Sequence, residues 1–305
     1  MHVLITGATG FIGSRLLVDF LSRKYEVTAV SRSPEKNRGG LPASVHVVGW
    51  DPDALAGAAA TADIIVNLAG EPIAGGPWTK KRKAAIVNSR VLAAQRLSDA
   101  IGKSGKRPGL FIQASAIGYY GSRGDEVCTE TTDPGEGFLA EVCKKWESHG
   151  PEIQARVERL LTLRIGLVLG RDGGLLPVFV RQAKWHVAGK IGSGKQWMSW
   201  IHITDFSRAV MFLADDDKAE GVFNMVSPGP CRQAEFSRHL AKAVRRKPQL
   251  PAPAWAIRLL TGEMGRELVL GGQRVSAAKL SGQGFKYHYH EAGQAISVIA
   301  GKAKQ

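Results

Sequence analysis

Cysteines are few in this sequence, and their arrangement argues against two kinds of site. Only three occur in 305 residues, Cys128, Cys143 and Cys231, and none belongs to a C-x-x-C motif. An odd, unpatterned set of cysteines is not typical of a disulfide scaffold, and zinc sites usually show paired ligand spacings. We therefore expect reduced thiols, no metal and a cytoplasmic location.

Long apolar runs are also missing. No stretch approaches the ~20 apolar residues that span a bilayer, and no secretory signal is recognisable after Met1. We therefore expect no membrane partner. Apolar residues make up 44% of the chain and charged residues 22%, a composition that supports a large buried core and does not indicate disorder.

Acidic residues are fewer than basic ones. The sequence has 27 Asp and Glu and 41 Lys and Arg, which gives a net charge of +14. Such a charge is compatible with nucleic acid, an anionic ligand or only a basic surface. The basic residues form short clusters, such as 80–83 and 245–247, without the aromatic strand pattern of an RNA-recognition fold. A solvated basic face is the favoured interpretation, and nucleic acid is the weakest.

The first half of the chain alternates short apolar runs with segments of helical spacing. Strands are predicted at 2–6, 26–30, 45–48, 63–68, 110–114 and 160–165, and helices at 11–23 and 80–101. Strands separated by helices predict a parallel sheet that is covered on both faces, the doubly wound α/β Rossmann fold.

After about residue 170 the sequence becomes richer in glycine and proline. Further helices are predicted at 205–214, with Thr204 or Asp205 as its cap, and at 233–244. We divide the chain into a Rossmann domain over 1–220 and a smaller C-terminal, substrate-side domain over 221–300. The core of the second domain is expected at about 248–296, after prolines that mark a boundary: Pro248, Pro251 and Pro253.

A glycine-rich motif follows the first predicted strand and opens the first helix. It reads Gly7-Ala8-Thr9-Gly10-Phe11-Ile12-Gly13, and its position between strand and helix is what makes it informative. Gly7 suits a tight turn, Gly10 lets backbone N–H groups approach a pyrophosphate, and Gly13 allows the helix to pack closely on the strand. The positive end of the helix dipole then favours an anion.

The second predicted strand ends in Ser31 and Arg32. An NAD site usually places an acid there, which binds the ribose 2′-hydroxyl. An arginine instead offers a charge-assisted fork to a 2′-phosphate, and a serine adds a hydrogen bond. The pair therefore predicts NADP as the cofactor, although Arg32 is also compatible with an ordinary surface position.

Several longer stretches resemble one family. They are Asn67-Leu68-Ala69-Gly70-Glu71, Tyr119-Tyr120-Gly121, 137–147, 164–170, 192–202 and Gly262-Glu263-Met264. Together with the glycine motif they are similar to atypical extended short-chain dehydrogenases/reductases of the NAD(P)-dependent epimerase/dehydratase family. The resemblance is to the subfamily labelled "epimerase family protein", which carries a C-terminal domain of unknown function, and it extends over nearly the whole chain.

This resemblance implies further cofactor contacts. Leu68, Ala69 and Gly70 match the turn that runs beside the adenosine and pyrophosphate, and Val168 matches a position that borders the nicotinamide. Phe11 and Ile12 belong to the phosphate loop. Arg90 falls on the long helix that faces the cofactor, where it either binds a phosphate or ribose oxygen or lies on the surface.

The departures from the family concern catalysis. Extended dehydrogenases use a serine, a Tyr-x-x-x-Lys pair and a helix asparagine. In this sequence the serine position falls on Ala116, next to Ser115, the Tyr and Lys positions fall on Leu139 and Cys143, and the asparagine position falls near Arg90. On this alignment the proton-transfer group of the family is missing.

Tyr120 and Ser115 are the candidate substitutes. A packing role for Tyr120 stays open, and Cys143 fits a small buried apolar residue better than a nucleophile. The sequence therefore predicts an NADP(H)-binding oxidoreductase or epimerase-like enzyme with a non-standard site and a small-molecule substrate. The alternative is a regulatory or scaffold protein that binds the cofactor with little catalysis, and a homo-oligomer is compatible with either.

Overall fold

Strands and helices alternate along the first half of the chain. The structure, a computed structural model, describes residues 1–184, 189–246 and 251–301. The strands are β1 (His2–Thr6), β2 (Glu26–Val30), β3 (Val45–Val48), β4 (Ile64–Asn67), β5 (Leu110–Ala116), β6 (Val127–Cys128), β7 (Arg159–Ile165), β8 (Leu167–Leu169), β9 (Trp197–Met198), β10 (Trp200–His202), β11 (Gly221–Met225), β12 (Cys231–Arg232) and β13 (Arg274–Val275).

The helices surround these strands. They are α1 (Phe11–Ser22), α2 (Pro34–Arg38), α3 (Pro52–Thr61), α4 (Lys80–Ser104), α5 (Phe138–Glu147), α6 (Gly150–Arg156), α7 (Leu176–Lys184), α8 (Ile203–Asp215), α9 (Gln233–Ala243), α10 (Ala254–Leu268), α11 (Ala278–Gly282) and α12 (Ala292–Gly301). A 3₁₀ turn, Ile117–Tyr120, follows β5. Within the described ranges, no helix is both long and apolar enough to cross a bilayer.

One parallel sheet of seven strands organises the fold, in the order β11-β7-β5-β4-β1-β2-β3. This confirms the predicted doubly wound α/β class. The chain moves outward from β1 to β3 and then crosses to β4 on the other side of β1. Ligands of such sheets bind outside the carboxyl ends of the strands at this switch point, here between β1 and β4.

Both faces of the sheet are buried, as a parallel sheet requires. Val3 and Ile5 of β1 pack on one face with Phe20 of α1. Leu4, which points to the opposite face, packs with Leu97 of α4. Side chains that point alternately to the two faces of β1 therefore connect the helical layers on both sides of the sheet.

The sheet contains one strand that the sequence did not predict. β11 pairs in parallel with β7 along its full length, and it begins at Gly221, the first residue that the sequence assigned to the second domain. The strand thus extends the sheet past the expected division at 220 and 221. The division itself stays a prediction, and Pro248, one of its three markers, lies outside the described residues.

The start of α8 differs from the predicted cap. His202, not Thr204 or Asp205, caps the helix, because its Nδ1 accepts a hydrogen bond from the Thr204 N–H at 3.1 Å. Burial lowers the pKa of His202 to about 4, so the ring is neutral at pH 7 and keeps an acceptor nitrogen. Asp205 is fully buried and instead accepts hydrogen bonds from the N–H groups of His288 and Tyr289.

The carboxyl end of β1 meets α1 without an intervening side chain. A Cβ at Gly13 would overlap the Gly7 carbonyl oxygen and would lie 2.9 Å from the Ala8 Cα. The Gly10 N–H donates to that same Gly7 carbonyl at 3.0 Å. Gly13 is therefore the residue that lets the first turn of α1 lie directly against the strand end.

We expect Gly13→Ala to destabilise the protein by about 1–3 kcal/mol, the usual effect of overpacking a close contact. Urea unfolding followed by circular dichroism measures the change in the free energy of unfolding. Gly57→Ala in α3 is the matched control, since no atom lies within 4 Å of the place that its Cβ would occupy and alanine favours a helix by up to ~1 kcal/mol. Equal midpoints for the Gly13→Ala variant and the wild type would contradict the close contact.

Candidate active site

The loop between β1 and α1 offers backbone donors to an anion. Gly7 has φ +69°, and a Cβ there would lie 2.9 Å from the Leu68 carbonyl oxygen. α1 begins after Gly10 with no side-chain cap and no acidic residue in its first turn. Its first N–H groups are therefore available to a phosphate, as the glycine motif predicts.

Phe11 is enclosed by a second glycine-rich segment, 170–174, which follows β8. Cβ atoms at Gly170 and Gly173 would each lie 2.5 Å from the Phe11 ring. Val168 of β8 is buried nearby, and its carbonyl oxygen would lie 2.9 Å from a Cβ at Gly174. The structure therefore brings the position expected beside the nicotinamide to the same end of the sheet as the phosphate loop, while Ile12 packs on the core.

The end of β2 presents a hydroxyl and a guanidinium. The Ser31 Oγ accepts hydrogen bonds from the Ser33 N–H at 3.0 Å and the Asn37 Nδ2 at 2.7 Å. Its own proton is thus left to donate to a ligand. The Arg32 side chain is 85% exposed, and its Nη1 lies 3.7 Å from a carboxylate oxygen of Glu71.

A buried chain of hydrogen bonds fixes the loop after β4. The Thr6 Oγ donates to the Asn67 Oδ1 at 2.7 Å and accepts from the N–H groups of Leu68 and Ala69, both at 3.1 Å. The Asn67 Nδ2 donates in turn to Gln113 on β5 at 3.0 Å. The loop is therefore held in register with β1, beside the glycine motif.

Arg90 lies beneath this loop rather than on the surface. Its Nη1 donates to the carbonyl oxygens of Glu71 at 3.1 Å and Ile86 at 2.9 Å, and a Cβ at Gly70 would lie 2.9 Å from its Cζ. Burial lowers the pKa of Arg90 to about 10, so it stays charged at pH 7. Its Nε is buried and makes no hydrogen bond to any described residue, so this donor is open to a partner.

Tyr120 does not reach the surface. Its side chain is fully buried, its hydroxyl donates to the Asn224 Oδ1 at 2.6 Å, and it accepts from the Arg164 Nη1 at 3.1 Å. Burial raises its pKa to about 12, an effect that Arg164 partly opposes. The hydroxyl therefore belongs to a buried network, although Tyr120 also lines the cleft described below. Its part in proton transfer stays a prediction.

Ser115, the other catalytic candidate, belongs to the same network. It is 2% exposed, and its hydroxyl donates to the Glu147 Oε1 at 2.5 Å. Glu147 also forms a two-point ion pair with Arg164, at 3.0 and 2.9 Å. The Ser115 proton is thus held by a carboxylate, and a catalytic role for Ser115 stays a prediction.

The residues at the Tyr and Lys positions of the family face the turn after β5. A Cβ at Gly118 in that turn would lie 3.2 Å from the Leu139 Cβ and 3.9 Å from the Cys143 Sγ. Neither side chain carries a proton donor suited to catalysis at pH 7. Cys143 is buried, which raises its pKa to about 11, and its thiol donates to the Ala116 carbonyl oxygen at 3.5 Å.

The start of α5 is completed by a residue from far along the chain. Gly137 precedes the helix and supplies no side-chain cap. The carboxylate of Glu267 on α10 instead accepts from the Phe138 and Leu139 N–H groups, both at 2.9 Å. Sequence reasoning missed Glu267, although a helix that opens after glycine is a signal that its N–H groups need another partner.

A cleft of about 780 Å³ lies beside these elements. Residues of the turn after β5, of the start of α5 and of α10 line it, among them Gly118, Leu139, Arg123, Arg266 and Glu267. The segment around α5 and the later helix α10 thus contribute to one concave surface. Its volume falls in the range of small-molecule sites.

Comparison with known proteins agrees with this geometry. Residues 3–226 match the NAD dependent epimerase/dehydratase family, and residues 252–299 match a domain of unknown function, DUF1731. The chain belongs to the NAD dependent epimerase/dehydratase family. This confirms the family that the sequence motifs resemble.

Individual relatives cover almost the whole chain. An epimerase family protein SDR39U1 homologue of Arabidopsis thaliana, described as chloroplastic, is 34% identical over 98% of this chain and 86% of its own length. The epimerase family protein ML0860 of Mycobacterium leprae is 32% identical over 99% and 97%. The crystal structure of human epimerase family protein SDR39U1 with NADPH superposes with a TM-score of 0.87 and 30% identity, covering 99% and 100%.

We expect the three cysteines to resist thiol reagents in the native protein. All are buried and free, and burial raises the pKa of each, to about 11 for Cys143 and about 12 for Cys231. Their thiols are therefore protonated at pH 8 and weakly nucleophilic. Ellman's reagent should report all three only after denaturation. A thiol that reacts rapidly in the native protein, and that disappears in Cys143→Ala, would show instead that Cys143 is activated.

Proposed function

We propose that this chain binds NADP(H) across the carboxyl ends of β1, β2 and β4. The observation that carries the proposal is the end of β2, where Ser31 keeps a proton to donate and Arg32 exposes its guanidinium. The end of β2 carries no acidic residue at the position where NAD sites have an Asp or Glu for the ribose 2′-hydroxyl. The NADPH bound to the human relative supports the same cofactor.

Other parts of the site fit a dinucleotide. Gly7 and Gly13 have no Cβ, so the Leu68 backbone and the first turn of α1 pack directly against the glycine loop. The uncapped start of α1 suits the pyrophosphate. The buried, unpartnered Nε of Arg90 supplies a donor beneath the loop that contains Leu68, Ala69 and Gly70.

We propose further that the protein is an oxidoreductase or epimerase-like enzyme with a non-standard site. When bound, NADP(H) supplies or accepts the hydride. Val168 and the segment 170–174 border the nicotinamide side, and the cleft beside Leu139 receives a small-molecule substrate. The chain's own contribution is to bind and orient, because Tyr120 and Ser115 are engaged elsewhere.

A second function is favoured by a specific observation. The two positions that carry proton transfer in the family hold Leu139 and Cys143, both turned toward Gly118. A protein that binds the cofactor tightly and catalyses little, in a regulatory or scaffold role, fits this arrangement. Cofactor affinity and turnover, measured together, separate the two functions.

We expect NADPH to bind more tightly than NADH by at least ~1.5–3 kcal/mol, the contribution of a hydrogen bond to a charged group. Isothermal titration calorimetry with both cofactors measures the difference. Arg32→Ala should remove most of the preference. Lys218→Ala, in the exposed turn that precedes β11, should leave it intact. Equal affinities in the wild type, or an unchanged preference in Arg32→Ala, would contradict NADP binding at this strand end.

We expect ordinary ketones, aldehydes and nucleoside-diphosphate sugars to turn over about 10²–10⁴-fold more slowly than in enzymes with the Tyr and Lys pair, since general acid catalysis contributes that factor. Single-turnover oxidation of NADPH measures the ketones and aldehydes, and single-turnover reduction of NADP⁺ measures the nucleoside-diphosphate sugars. Cys143→Ala should behave as the wild type does. Fast turnover that Cys143→Ala abolishes would assign catalysis to the thiol. Tight cofactor binding with no hydride transfer to any substrate of the panel would favour the regulatory role.

A further inference from the structure

Glu71 is anchored to α4 through every polar group except one carboxylate oxygen. Its N–H lies 2.9 Å from the Ser89 Oγ, which accepts a hydrogen bond from it, and its carbonyl oxygen accepts from the Arg90 Nη1 at 3.1 Å. The carboxylate Oε1 accepts from the Arg82 Nη1 at 2.9 Å. Three side chains of one helix therefore fix the backbone and the carboxylate of a single loop residue.

Arg82 is itself held by the loop that it supports. Its Nη2 donates to the Pro72 carbonyl oxygen at 2.5 Å, and a Cβ at Gly75 would overlap that same nitrogen. Its side chain is 23% exposed and that of Glu71 26%. The pair is therefore more shielded than a surface ion pair, and the charge of the Glu71 carboxylate is balanced by Arg82.

The remaining oxygen of Glu71 faces Arg32. The Glu71 Oε2 lies 3.7 Å from the Arg32 Nη1. Arg32 is 85% exposed, and Glu71 is its ion-pair partner among the described residues. A long exposed arginine otherwise samples many rotamers, and a ligand that orders it has to offset the lost entropy.

We infer that Glu71 is a positioning residue for cofactor choice: its fixed carboxylate keeps the Arg32 guanidinium at the end of β2, where a 2′-phosphate arrives. Arg82 acts through Glu71, both by fixing the carboxylate and by offsetting its repulsion of the phosphate. The inference rests on the proposed binding of NADP(H). It assigns the preference for the 2′-phosphate to a three-residue arrangement rather than to Arg32 alone.

The test is the ratio of NADPH to NADH affinity in Glu71→Gln, measured by calorimetry on the full chain. The glutamine keeps an oxygen for Arg82 and removes the charge that holds Arg32. NADPH should bind about two- to fivefold more weakly, the range of an exposed ion pair, and NADH affinity should not change. Lys81→Gln, which removes an exposed charge from the same end of α4, is the matched control and should leave both affinities unchanged.

A double-mutant cycle separates positioning from a general change of the loop. In the Arg32→Ala background, Glu71→Gln should cause no further change in the affinity for NADPH. Arg82→Gln should lower the affinity for NADPH and leave that for NADH unchanged. The double variant Glu71→Gln, Arg82→Gln should lose no more NADPH affinity than the more strongly affected single variant. If Glu71→Gln does not fold, Glu71→Asp, with a shorter reach toward Arg32, should show the same selective loss.

Three results would overturn the inference: NADPH affinity unchanged or increased in Glu71→Gln, an equal loss for both cofactors, or a loss that persists without Arg32. Failure of the proposed function gives a different result. In that case the wild type shows no preference for NADPH and Arg32→Ala changes nothing. A wild type that prefers NADPH through Arg32, combined with an inert Glu71→Gln, contradicts only the role of Glu71.

Discussion

The arrangement of the site depends on the contact between α1 and the end of β1. Because Gly13 has no side chain, the first turn of α1 lies against the Gly7 carbonyl. The helix N-terminus then opens at the switch point of the sheet, between β1 and β4. The hydrogen bonds of Thr6 bring the loop after β4 to the same edge, and β2 delivers Arg32 from the other side. A side chain at position 13 would separate the helix from all of these groups.

The sequence predicts this edge well because its signals are local. The strands β1 to β4 are short apolar runs, the glycine motif fixes a turn within seven residues, and the pair at the end of β2 follows its strand directly. Tyr120 and Ser115 are different, since their partners are distant along the chain. Asn224 is 104 residues from Tyr120 and Glu147 is 32 from Ser115. No local pattern indicates that both hydroxyls are already bound.

The missed residues are mainly acidic. The net charge of the chain is +14, yet three carboxylates each order an arginine or a helix start, those of Glu71, Glu147 and Glu267. β11 was missed for a related reason: a five-residue run that begins with glycine becomes a strand only because β7 lies beside it. Tertiary partners, rather than intrinsic propensity, decide these positions.

The cap that Glu267 provides has a consequence for the order in which the protein forms. The carboxylate lies 129 residues beyond the Phe138 N–H that it accepts from. On the ribosome, α5 therefore emerges long before its partner has been synthesised, and contacts between such distant segments are late events in folding. The wall of the cleft is completed only when α10 docks, so a nascent chain that already contains the whole parallel sheet still lacks the finished cleft.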